Sequence, residues 1–394
     1  IMDVVSALLL IFFFVFSYLY FVTKNNDEKT KLINEFPGPK IYPIIGTPLP
    51  ILWMKKYEIF CYLRQLARQY GPVYKTWIGN IPAINITSPE YAELILNNST
   101  HITKGYGYKF LAPWLGDGLL LSKGEKWHRH RKLLTPAFHF KILENFMDVF
   151  VDKSKFLVKR LANDANGKPF NIFPYITRCT LDIISETAMG IQVNAMNEEK
   201  SEYVSAIYGV CSAIVHRFAR IWLQSDFIYN RTDRGKTYLK HLCVLHSTTN
   251  KVIQKRKEIL HQTQDNKNDE QDVFGAKKRK AFLDVLLEVS NDSTGLTHEQ
   301  IREEVDTFMF EGHDTTTASI CWTIFLLGLH LDIQERAFEE VSQILCDDKS
   351  LEISDLNELK YLERIIKESL RLYPSVGAIS RIASSDIKIG ELNM

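Results

Sequence analysis

No proline occurs between Pro174 and Pro374. Proline breaks helix interiors, because it lacks an N–H and its ring collides with the preceding turn. So long a stretch without it, rich in apolar residues at three- and four-residue steps, predicts a large stack of helices. The other prolines crowd into the first part of the chain. Phe36 to Pro50 reads F-P-G-P-K-I-Y-P-I-I-G-T-P-L-P, which suits neither a helix nor a central strand. It is expected to act as a stiff linker.

Ahead of that linker, Val4 to Val22 carries no charge. As a helix this run would extend about 28 Å, enough for a hydrocarbon core. Asp3 precedes it, Tyr18 and Tyr20 lie near its far end, and Lys24, Lys29 and Lys31 follow. A cleaved signal would have a basic start and a small-residue cleavage site. The expectation is a retained single-pass anchor with the body in the cytoplasm. The domains are then residues 4–22 as anchor, 23–50 as linker and Pro/Gly hinge, and 51–394 as catalytic body.

Local signals fill in the rest. Gly71 to Ile86 alternates apolar and polar residues around Gly79-Asn80, a hairpin pattern. Ser88-Pro89-Glu90 is a helix start. His261 to Lys280 is polar throughout and is expected to be a solvated loop; its K-K-R-K is read as part of that loop and not as a nuclear signal. The sequons at Asn85, Asn98, Asn230 and Asn291 would lie unused on the cytoplasmic side. Basic and acidic side chains balance to a net +1, which gives no support for a nucleic-acid surface. Cys61, Cys179, Cys211, Cys243, Cys321 and Cys346 are far apart with no C-x-x-C pair. They indicate neither a zinc site nor a disulfide framework.

Three clusters carry chemistry. Thr297-His298-Glu299-Gln300 is a capping box opening a helix expected to run past Leu329. Near the centre of that helix stands F-M-F-E-G-H-D-T-T-T-A, Phe308 to Ala318. Phe308, Glu311, Thr315, Ala318 and Trp322 share one face. Gly312 and Ala318 are small, which would let a flat or bulky ligand approach the backbone. The threonine hydroxyls can bond back to carbonyls four residues earlier. In the second cluster, K-E-S-L-R-L-Y-P-S, Glu368 and Arg371 can pair on one helix face. In the third, W-H-R-H-R, Trp127 and Arg131 stand one turn apart and could present an indole N–H and a guanidinium to one anion.

These clusters, in this order behind an anchor and a P-G-P hinge, resemble the cytochrome P-450 monooxygenases over essentially the whole chain. The resemblance implies a mainly α fold with small β-sheets behind an N-terminal transmembrane helix. It implies heme b as cofactor and an endoplasmic reticulum membrane location. It also implies an NADPH-dependent reductase as electron donor, O2 as co-substrate, an apolar small-molecule substrate, contact with membrane lipid and no nucleic acid. Asp314 and Thr315 match the acid–alcohol pair that relays protons on the oxygen-binding side of heme. Trp127 and Arg131 match a heme-propionate pair, and Arg381 matches another propionate contact. Glu368 and Arg371 match the structural pair of the proximal core. Glu311, where most of the family has Ala or Gly, looks like the family-4 branch of fatty-acid omega-hydroxylases and their insect relatives. Phe110 to Ser122 and Leu134 to Phe140 look like that branch too. There the Glu can form an ester with a heme methyl.

Two departures stand out. Leu331 replaces a usual proline and should lengthen the helix locally. The iron-ligating Cys of the family lies in a Gly- and Arg-bearing loop that the sequence, ending at Met394, does not reach. The chain is therefore expected to be a fragment of the functional enzyme, inactive as written. Readings from other classes are a phosphohydrolase using His313-Asp314, which would need further metal ligands, and a non-catalytic membrane protein binding lipid or a partner.

Overall fold

The computed structural model describes residues 2–24, 28–42, 45–47, 50–138, 146–198, 201–218, 220–267, 281–290, 295–345, 351–389 and 392–393. The chain divides into two compact units, one of residues 1–107, 211–239 and 380–394, the other of residues 108–210 and 240–379. Residues 268–280 of the polar stretch, His139 and Phe140, Asn291 and Cys346 lie outside the described residues.

The first unit begins with helix α1, Met2–Lys24, followed by α2, Glu28–Glu35. Among the described residues no single helix is long and apolar enough to cross a membrane; the apolar part of α1 spans Val5–Tyr20. Its side chains are largely exposed, Phe12 and Leu9 among them. Helix α3, Lys56–Tyr70, leads into strands β1, Val73–Ile78, and β2, Ile81–Ile86. These pair antiparallel, from Val73 with Ile86 to Ile78 with Ile81, about the expected Gly79-Asn80 turn. Gly79 has a φ of 60°, a conformation that a side chain would strain. Helix α4, Pro89–Leu96, starts where expected, with the Ser88 hydroxyl accepting the Tyr91 N–H at 3.4 Å.

The Pro/Gly segment lies along β1. The Lys75 N–H donates to Pro37 O at 2.8 Å and the Thr47 N–H to Trp77 O at 2.7 Å. The Trp77 N–H returns to the Thr47 hydroxyl at 2.9 Å. Proline-rich backbone has few donors of its own, and here its carbonyls are used instead. In the same unit the chain around Thr103 runs beside Arg381. Lys104 and Arg381 form a β-bridge, and the Ile382 N–H donates to Thr103 O at 2.8 Å. Strands β3, Lys388–Ile389, and β4, Leu392–Asn393, form a second small antiparallel pair.

The second unit holds most of the helices. They are α5, Gly124–Leu134; α6, Met147–Asp164; α7, Phe173–Thr187; α10, Phe282–Ser290; α11, His298–Leu329; α12, Leu331–Ile344; α13, Ile353–Glu358; and α14, Lys360–Leu372. Helices α8, Glu202–Phe218, and α9, Asp233–Lys267, contribute to both units. The core of the second unit is the crossing of α7 and α11. There the hydroxyls of Thr180 and Thr317 hydrogen-bond at 2.7 Å, both side chains buried. A methyl group added at Gly312 would lie 2.6 Å from Ile184 Cδ1. The smallness of Gly312 therefore serves close helix packing beside Ile184, and Gly312 also lines an apolar cavity. Arg256 of α9 forks onto both oxygens of Asp284 of α10, at 2.6 and 2.7 Å, and donates to Gly190 O at 2.8 Å.

Two expectations are corrected. The polar stretch from His261 is helical to Lys267, because Gln and Lys are good helix formers and α9 propagates into them. Helix α11 does not lengthen at Leu331. It ends at Leu329, and α12 leaves at 113°. His330 makes the corner with φ −122° and ψ 76°, its N–H shared between Leu326 O and Leu327 O.

Candidate active site

The candidate residues Trp127, Arg131, Glu311, Asp314, Thr315, Glu368 and Arg371 all belong to the second unit; Arg381 belongs to the first. Helix α11 opens on the expected capping box. The Thr297 hydroxyl accepts the Gln300 N–H at 3.2 Å, and Gln300 Oε1 accepts the Thr297 N–H at 2.9 Å. Along the helix, the Thr315 hydroxyl donates to Glu311 O at 2.7 Å and the Thr316 hydroxyl to Gly312 O at 2.9 Å. This back-bonding loads one turn with polar groups without leaving the hydroxyls unpaired. The carbonyl of Thr315 accepts a further hydrogen bond from the Ser375 hydroxyl at 2.8 Å.

The stripe read from the sequence is bounded by aromatics. Phe308 stacks with Phe138, ring centres 5.2 Å apart, and meets Phe282 at 4.3 Å. Trp322 stacks on Tyr373 at 4.3 Å. Between these ends stand Glu311, Asp314 and Thr315, all half-buried. Burial raises the Asp314 carboxyl above the ordinary carboxylate range, and the neighbouring His313 opposes that only in part. Burial also keeps His313 neutral, lowering its pKa. Its Nδ1 donates to Met309 O at 2.6 Å, turning the ring into the core. His313 is thus occupied structurally, and among the described residues no group of three or more metal-ligating side chains forms. The phosphohydrolase reading has no ligand set to build on.

On α5 the half-buried Trp127 and the exposed Arg131 stand one turn apart. Both are donor-only groups. Such a pair suits an acceptor-only group such as a carboxylate. Glu368 and Arg371 of α14 form a two-bond fork at 2.7 and 2.8 Å on an exposed face, which draws the carboxyl pKa down. Arg381 donates to the adjacent Ser380 O at 3.1 Å. Burial pushes the Cys179 and Cys321 thiols up to about 11, which disfavours the thiolate at those two sites.

The sequence reading missed several residues that organise this unit. Buried Asp306 of α11 accepts from Arg302 Nη1 at 2.8 Å, yet burial outweighs that cation and pushes its carboxyl up to about 7. His130 of α5 meets Glu304 of α11 at 2.6 Å, both buried. The partners of that pair are far apart in sequence, and no local spacing rule announces them. An apolar cavity of about 390 Å³ lies among α6, α7 and α11, lined by Phe150, Leu157, Ile176, Ile183, Ile184 and Ile320 among others. Its lining excludes Glu311, Asp314 and Thr315, so the polar stripe faces elsewhere.

A model of the cytochrome P450 family matches residues 36–394. The chain is 44% identical over 385 residues to cytochrome P450 4c3 of Drosophila melanogaster, covering 95% of this chain and 72% of that protein. It is 44% identical over 366 residues to cytochrome P450 4c21 of Blattella germanica, covering 93% and 73%. It is 42% identical over 355 residues to cytochrome P450 4V2 of Homo sapiens, covering 89% and 67%. An α11 that carries an acid–alcohol pair, and an α5 that carries paired donors, fit the family's heme cofactor. With a mainly helical fold and two small antiparallel sheets, the chain belongs to the cytochrome P450 family, in its family-4 branch, and is an oxidoreductase of the monooxygenase class.

Proposed function

We propose that the enzyme hydroxylates long-chain apolar substrates of the fatty-acid type, taking electrons from an NADPH-dependent reductase and one oxygen atom from O2. Glu311 is the observation that carries this reading. It stands half-buried near the centre of α11, at the position where most of the family, outside this branch, has Ala or Gly. Heme, when bound, supplies the oxygen activation and the C–H chemistry; the protein supplies binding, orientation and protons. We assign no cysteine of this sequence as the iron ligand, since none stands in a Gly- and Arg-bearing loop.

Trp127 and Arg131 would hold one propionate through charge-assisted hydrogen bonds, and Arg381 would serve as a further propionate contact. Asp314 would keep a proton further toward neutral pH than an exposed carboxyl, because burial disfavours its charge. Through a water it would pass that proton toward the Thr315 hydroxyl. That hydroxyl's hydrogen is held by Glu311 O, leaving its lone pairs to receive one. Glu311 would tether a heme methyl as an ester, its oxygen replacing one methyl hydrogen in a two-electron oxidation that turnover with O2 would supply, and the carboxylate would thereby lose its charge. Glu368 and Arg371 would stiffen the end of α14. Helix α1 would anchor the body in the endoplasmic reticulum membrane on the cytoplasmic side. The lysines after the apolar run and the aromatic residues at its end support that orientation.

The test is incubation of the complete enzyme with reductase, NADPH and fatty acids of graded chain length, with products resolved by mass. Terminal hydroxy acids are expected. Turnover of short or polar substrates, with every fatty acid left intact, would overturn the substrate class and leave the monooxygenase assignment standing.

A further inference from the structure

A rigid planar group held at its edge by α5 and met by residues of α11 requires those two helices to keep a fixed spacing and rotation. The structure has a device at that junction. Imidazole Nδ1 of His130 lies 2.6 Å from Glu304 Oε1, with 2% and 0% of the side chains exposed. A carboxylate only accepts, so Nδ1 carries the hydrogen. The second oxygen, Glu304 Oε2, accepts the Leu119 N–H at 3.1 Å. The preceding Glu303 accepts the Asp117 N–H at 3.0 Å, and its other oxygen faces Lys126 of α5 at 3.5 Å. Two consecutive carboxylates of α11 thus grip both the turn before α5 and α5 itself.

A buried imidazole–carboxylate pair is a poor way to gain stability, because an apolar pair of the same volume does as well or better. What it adds is direction. His130 sits one residue before Arg131 and three after Trp127, so its bond fixes the rotation of α5 about its own axis. We propose that His130, acting through Glu304, is a positioning residue that sets where Trp127 and Arg131 are presented to the heme. The inference rests on reading those two residues as propionate donors.

The complete heme-loaded enzyme tests it, with two readouts: the rate of heme transfer to excess apomyoglobin, and the propionate-bending band in the resonance Raman spectrum. Arg131→Ala and His130→Phe are each expected to speed heme loss about tenfold and to shift the band in the same direction. His130→Gln keeps an N–H toward Glu304 and should restore most of both. The double variant His130→Phe/Arg131→Ala should lose heme more slowly than the product of the two single effects, because part of the first residue's effect passes through the second. A His130→Phe enzyme with the parent's band, or a double variant whose effects multiply, would overturn the positioning role. An Arg131→Ala enzyme unchanged in both readouts would overturn the propionate reading and this inference with it. Should His130→Phe fail to hold heme, Glu304→Gln, which weakens the same bond from the other side, carries the same comparison.

Discussion

Gly312 and Gly328 stand on the same helix, and the same substitution should push stability in opposite directions at the two sites. Gly→Ala in a helix interior gains about 1 kcal/mol from propensity alone. At Gly328 a methyl group would meet nothing within 4 Å. Gly328→Ala should therefore keep most of that gain, raising the melting temperature of the complete enzyme by about 2 °C. At Gly312 the methyl would lie 2.6 and 2.7 Å from Ile184 Cδ1 and Cγ1. Relief requires the end of Ile184 to turn into the cavity it lines or the α7–α11 crossing to shift, and overpacking of this kind costs about 1–3 kcal/mol. Gly312→Ala should thus lose about 1 kcal/mol net, placing the two variants about 2 kcal/mol apart. Trimming Ile184 to Ala should itself cost about 2–5 kcal/mol, but less in the Gly312→Ala background, where the methyl fills part of the space. Scanning calorimetry of the parent and the four variants measures this. If Gly312→Ala is as stable as Gly328→Ala while heme or substrate binding weakens, Gly312 faces a ligand and the packing argument is wrong.

Three other outcomes are expected. The Asp306 carboxyl rises from its ordinary 3.8 to about 7 in the folded chain, so the folded state holds an extra proton between those values. Stability from this residue is full below about pH 4, falls as pH climbs toward 7, and spans about 4 kcal/mol at most. Melting temperature should accordingly drop more between pH 5 and 7.5 in the parent than in Asp306→Asn; parallel curves would refute the shift. Thr315→Val keeps the side-chain shape but removes the hydroxyl. Product formation should slow about 100-fold or more while substrate binding holds, with more electrons diverted to peroxide. Unchanged coupling of NADPH use to product would reduce Thr315 to a helix-bending residue. After turnover, part of the heme should stay with the denatured parent polypeptide in acid–organic chromatography, and none with Glu311→Ala; complete release from the parent would remove the ester.

What the sequence made legible was local. The Gly79-Asn80 hairpin, the Ser88 and Thr297 caps and the threonine back-bonds each obey rules acting within four residues, and each stands where expected. Whatever depends on a distant neighbour was hidden. Gly312 reads as room for a ligand, and only the fold shows that Ile184 packs against it as well. His130 reads as one more polar residue on an amphipathic turn until Glu304, on a helix far along the chain, meets it. The helical run from His261 to Lys267 misled for another reason: it has no apolar stripe, and continuation from α9 with good intrinsic formers suffices.

The corner at His330 has a consequence for how this chain tolerates change. His330 has already left the helical region, with φ −122° and ψ 76°, and the Leu331 amide meets no backbone carbonyl among the described residues. Residue 331 is also the first of its helix, where a closed pyrrolidine ring fits without strain. A proline there would forfeit nothing in the native state and would narrow the conformations open to the denatured one. Leu331→Pro should consequently gain about 0.4–1 kcal/mol. Leucine and proline are then both tolerated at this site, proline with a small gain. A corner of 113° would then hold with either residue at the bend, because both leave the first turn of α12 in place.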